Sequence, residues 1–92
     1  MFNARKALYE FMDDPEVREI ARREAGSREN LQFNFAYGLL KEVQPMIDAG
    51  DYTGLVAFLE EKFDYTADNG QYDESDVALA LLTAVRHYLD HN

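Results

Sequence analysis

Two groups of side chains in this chain have the types and spacing from which chemistry is built. They are the oxygen-rich run DYTADNGQYDESD over residues 64–76 and the imidazoles of His87 and His91. In the first group Asn69, Gly70, Asp73 and Asp76 match positions five, six, nine and twelve of a calcium-binding loop that leads into a helix. Such a loop needs oxygens converging from alternate positions on a hard cation, with Gly at the sharp bend. Here positions one and three are Tyr65 and Ala67, which supply no carboxylate, and Asp64 and Asp68 stand one place out of register. The run therefore reads as an Asn-Gly bend followed by an acidic helix start. A weak calcium site on Asn69, Asp73 and Asp76 is the alternative.

The histidines stand four apart, the spacing that zinc-binding pairs use on a helix. Tyr88 occupies the place of the Glu in H-E-x-x-H proteases, and no third ligand is evident in the sequence. They read as surface histidines. Other chemistry is thinly supplied. There is no Cys, which excludes disulfides, thiolate metal sites and thiol nucleophiles. No Gly-rich phosphate loop follows a strand, no G-x-S-x-G elbow occurs, and no base is evident for a hydroxyl nucleophile. Glu60 and Glu61 are neighbours on a helix and do not converge. The expectation is a protein that is not an enzyme and carries no cofactor.

Charge is the stronger signal. The formal net charge is −9, and it is unevenly placed. Residues 1–30 hold six basic side chains against seven acidic ones, whereas residues 31–92 hold three against eleven. Direct nucleic-acid binding is disfavoured for the second part, and a basic protein partner is favoured. From Glu60 to Asp76 seven acids (Glu60, Glu61, Asp64, Asp68, Asp73, Glu74, Asp76) face one base, Lys62, with Tyr65 and Tyr72 among them. Tyrosine among charges is common in protein interfaces, where the ring supplies area and the hydroxyl a hydrogen bond. These nine residues are the predicted partner-binding surface, and a solvated acidic loop kept for solubility is the plainer reading. Mimicry of nucleic acid by spaced carboxylates, inhibiting a DNA-binding protein or nuclease, is a sharper version. Bacteriocin-immunity, anti-restriction and anti-CRISPR proteins are similar in size and charge, although no motif here matches theirs.

The elements that must position these groups are helical. The run SDVALALLTAVRHYLDH over residues 75–91 places Val77, Leu81, Ala84, Val85 and Tyr88 on one face and Ala78, Leu82, Val85 and Leu89 on the adjacent one. A helix with two apolar faces needs neighbours on both, which makes it the central element of a small bundle. Asp73 or Ser75 is its predicted cap. Earlier in the chain, Asn3 caps a short helix with Ala4, Ala7, Leu8, Phe11 and Met12 as its stripe. A second helix over residues 15–25, capped by Asp14 with Pro15 at its first position, ends at Gly26. Its arginines Arg18, Arg22 and Arg23 alternate with Glu16, Glu19 and Glu24 on a solvated face.

A third helix begins at Ser27 and carries Leu31, Phe35, Leu39 and Val43 at four-residue steps, with Ala36 and Leu40 beside them. A short strand over QFNFAY competes locally. Gly38 suggests a close helix approach, and Pro45 should kink or end this helix near residues 42–44. A fourth helix starts at Asp51 or Thr53 with Tyr52, Leu55, Val56, Leu59 and Phe63 on one face, and residues 64–74 then form one long loop. The stretch AGDYTGLVAFLEEKF is similar to the turn and second helix of a tetratricopeptide hairpin. That resemblance implies two packed antiparallel helices around Gly50 and no more, because 34 residues on the chain reads TAVR.

The predicted fold is one all-α domain over residues 1–92, a compact four- to five-helix bundle with a hairpin-like pair around Gly50 and a central C-terminal helix. With no secretory signal or membrane-length apolar run in the sequence, a cytoplasmic protein is expected. A homodimer is the remaining alternative, since Phe2, Tyr9, Phe33 and Tyr37 are more aromatic surface than four helices need.

Overall fold

The computed structural model describes residues 1–12 and 27–91, apart from the side chains of residues 12, 27–34 and 73. Four helices and no strand occur among them: α1 (Ala4–Met12), α2 (Ser27–Asp48), α3 (Tyr52–Asp68) and α4 (Tyr72–Asp90). The helix predicted over residues 15–25, with its three arginines, lies outside the described residues.

α4 packs against each of the other three helices and is the principal neighbour of each. Its two apolar faces explain this, because Val77, Ala78, Leu81, Leu82 and Val85 are all buried. At about 1.5–3 kcal/mol for each large apolar side chain taken out of water, this one helix anchors the core. Around it lie Ala4 and Leu8 of α1, Ala36, Leu39, Val43 and Ile47 of α2, and Leu55 and Leu59 of α3. Leu89, expected on the second face, is 42% exposed at the helix end. The most extensive helix pairing is α3 against α4 across Gly70, ahead of α2 against α3 across Gly50.

Several local expectations change. Helix α2 continues through Pro45 to Asp48, so of the two expectations, a kink or an end near residues 42–44, the end is not observed. The lost amide costs one hydrogen bond, but Val43 and Ile47, one turn apart on the core face, are both buried, and the Pro45 carbonyl still accepts from Ala49 N–H at 3.1 Å. Gly38 is exposed with no described atom within 4 Å of where a Cβ would stand, so none of the described helices approaches it closely. Phe2, expected on the surface, is in the core at 7% exposure, whereas Tyr9 and Tyr37 are exposed.

The Phe2 ring meets Tyr88 edge-on at 5.5 Å, and Tyr88 lies 5.6 Å from Tyr52. The Phe2 N–H donates to the Tyr52 hydroxyl at 3.3 Å. A hydrogen bond with Tyr52, reinforced by desolvation, holds the Tyr88 phenol above the usual tyrosine range. These three rings tie the first residues of the chain to the start of α3 and the end of α4.

Candidate functional site

The long loop predicted over residues 64–74 does not exist. Helix α3 runs to Asp68, Asn69 caps it, and α4 begins at Tyr72. Thr66 is the reason. It continues the core-facing row of Leu55 and Leu59, is 2% exposed, and spends its hydroxyl on the Lys62 and Phe63 carbonyls at 2.9 and 3.1 Å. Asn69 donates its side-chain amide to the Tyr65 carbonyl at 2.7 Å. Gly70, with φ of 73°, then reverses the chain, its N–H donating to Ala67 O and that of Gln71 to Thr66 O. This pair of bonds is the Schellman motif, which needs the left-handed conformation that Gly adopts without penalty.

This geometry does not favour the calcium alternative on Asn69, Asp73 and Asp76. A cation loop must wrap extended backbone around the ion, whereas here residues 65–68 are helical and Asn69 is engaged as a helix cap. Asp73 and Asp76 belong to the following helix. Among the described residues no group of three or more His, Asp or Glu is placed to hold a metal. Nor is the predicted cap of α4 the observed one. Gln71 occupies that position without a side-chain hydrogen bond, while Ser75 is buried inside the helix and donates to the Tyr72 carbonyl at 2.9 Å.

The predicted surface residues thus divide between two helices. Glu60, Glu61, Asp64 and Asp68 are all exposed on α3. Steps of three and four put them on its outward side, opposite Leu55 and Leu59, with about 6 Å of axial rise between Glu60, Asp64 and Asp68 in turn. Tyr65 and Tyr72 are 64% and 67% exposed at the tip where α3 meets α4. Asp73, Glu74 and Asp76 follow in the first turns of α4, with Glu74 half-buried and Asp76 exposed.

These acids do not carry the same weight. Those beginning α4 face the positive end of a helix dipole, a placement that stabilises the helix and needs no other explanation. Asp64 and Asp68 sit in the last turns of α3, where the dipole is negative, and the final turn carries no basic side chain. Like charges four apart also repel, at about 0.2–0.5 kcal/mol per pair. The α3 acids therefore break a local rule of helix stability, which is where functional residues are expected.

Two ion pairs edit the surface further. Arg86 Nη2 of α4 meets Glu60 Oε1 at 2.6 Å, with both side chains about half exposed, so Glu60 links α3 to α4 and is partly neutralised. Lys62 Nζ reaches Glu42 Oε2 of α2 at 3.5 Å and lies over the Phe58 ring at 5.4 Å from its centre. No described cation pairs with Glu61, Asp64 or Asp68. A small cleft beside them is lined by Phe58, Glu61, Lys62 and Tyr65. Sequence reasoning had no means of joining Glu60 to Arg86, since 26 residues separate them.

His87 and His91 are exposed at the far end of α4, beside a shallow groove against α1 that Lys6 and Glu10 also line. No helix among the described residues is long and apolar enough to cross a membrane. Comparison with protein-family models, with curated proteins and with solved structures finds no match for this chain.

Proposed function

We propose that this protein is a non-catalytic interaction module, an adaptor or inhibitor, that offers the outward side of α3 and the tyrosines at the α3–α4 tip to a basic protein in the cytoplasm. The observation that supports this most is the run of Asp64 and Asp68 at the wrong end of a helix dipole, beside the exposed Tyr65. Charge of this kind speeds encounter with a basic surface, and the tyrosines supply buried area once contact is made. The fifth helix over residues 15–25 and the hairpin-like pair around Gly50 belong to the same reading of the bundle.

Capture of partners at low salt tests it. Reversal at Asp64→Lys with Asp68→Lys is expected to abolish partner recovery while leaving the thermal transition in place. Reversal at Glu74→Lys with Asp76→Lys is expected to weaken capture less. Equal recovery with the α3 double variant would show that this surface is not the interface. The even steps of Glu60, Asp64 and Asp68 also favour one second reading, mimicry of a phosphate backbone. Competition by duplex DNA for the same partner would support that version.

A further inference from the structure

His87 and His91 project from successive turns at the end of α4, both exposed, with ring centres 4.1 Å apart and planes inclined by 50°. The backbone that carries them is in place, because the His91 N–H donates to the His87 carbonyl at 3.1 Å. Two nitrogens bound side by side on one metal, each at about 2.0–2.1 Å, are separated by roughly 2.8 Å at the right angle copper(II) and nickel(II) take and roughly 3.3 Å at the tetrahedral angle of zinc(II). Rings whose centres are 4.1 Å apart on exposed side chains bring one nitrogen of each to such a separation by rotating about their side-chain bonds. The site lies at the negative end of the α4 dipole, which favours a cation. Asp90 stands between the two histidines in sequence, and from α1 the oppositely charged Lys6 and Glu10 line the adjoining groove.

We propose that His87 and His91 form a two-imidazole chelate for a borderline divalent transition metal of the copper(II), nickel(II) or zinc(II) class, with water completing the coordination. Imidazole nitrogen selects these ions over calcium and magnesium, which prefer oxygen. No third described His, Asp or Glu converges with the pair, so the site is open and exchangeable. A metal held between positions four apart closes the last turn of α4. That turn carries Tyr88 against Phe2 and Tyr52, so occupancy stabilises this end of the bundle.

Copper(II) titrated into the full chain and followed by NMR tests the assignment. Paramagnetic broadening is expected to centre on residues 84–91, to reach Lys6 and Glu10 next, and to saturate at one ion per chain. Zinc is expected to raise the melting temperature where equimolar calcium does not. His87→Ala and His91→Ala are each expected to lower copper affinity by about tenfold or more, since even indirect supports of metal ligands are worth that much. Both side chains are exposed, and far-UV circular dichroism checks that the variants fold. Broadening centred on residues 64–76, or unchanged affinity in the double variant, would overturn the proposal.

Discussion

The turns at Gly50 and Gly70 are built alike and supported differently. At the first, Gly50 N–H donates to Ile47 O at 3.0 Å and Asp51 N–H to Met46 O at 2.9 Å. At the second the same two bonds run from Gly70 to Ala67 and from Gln71 to Thr66, at 3.1 and 2.8 Å. Both glycines have φ near +70°, and in each case the next helix begins two residues later. The difference lies in that next helix. Asp51 caps α3 through its carboxylate, which accepts the Gly54 N–H at 2.9 Å, while Gln71 makes no such bond to α4. A turn between helices can therefore hold without an N-cap when a glycine ends the preceding helix and the following one is anchored by its core face.

The sharpest way to break this parallel is to remove the shared part. Gly50→Val and Gly70→Val are each expected to cost about 1–2 kcal/mol in urea unfolding, because a side chain resists positive φ. Neither glycine has an atom within 4 Å of a would-be Cβ, so the cost is conformational and should be similar at the two sites. A large inequality would show that the turns are not equivalent.

Removing the unshared part separates them. Asp51→Ala is expected to cost about 1 kcal/mol, and Gln71→Ala should stay within the ±0.5 kcal/mol typical of neutral surface changes. Gln71→Ser supplies the missing cap, and thermal unfolding should show a gain of about 0.5–1 kcal/mol. The smallest effect concerns the pairing that spans α3 and α4. A double-mutant cycle on Glu60 and Arg86 is expected to give a coupling of about 0.2–1 kcal/mol that fades with salt, as for other exposed pairs.

The same two turns show what was legible in the sequence. AGDYTG was read as a tight turn because Gly50 is followed by Asp51, a plain cap signal. DYTADNGQYDE reads as a long loop because Asp, Asn and Gly outnumber apolar residues there. Thr66 misled that reading. It is polar by type, but its hydroxyl bonds to the preceding turn of its own helix, so it buries like an apolar residue and carries α3 five residues further. Pro45 misled in the opposite sense, since a lost hydrogen bond is plain in sequence and the compensating burial of Val43 and Ile47 is not.

The central place of residues 75–91 was legible, because two adjacent apolar faces require two neighbours whatever the topology. The composition of the acidic surface was legible too, but its division was not. Only the helix boundaries show that Asp73, Glu74 and Asp76 stabilise a helix start while Asp64 and Asp68 oppose a helix end.

Neither turn contains slack: three helices follow one another with two glycines and no hinge segment between residues 27 and 90. If a basic partner docks there as proposed, the helical backbone carrying the carboxylates is already ordered, so little backbone ordering entropy is lost. Tightness would then depend on how well a cationic partner fits a rigid relief, and raised ionic strength would slow arrival more than it hastens departure.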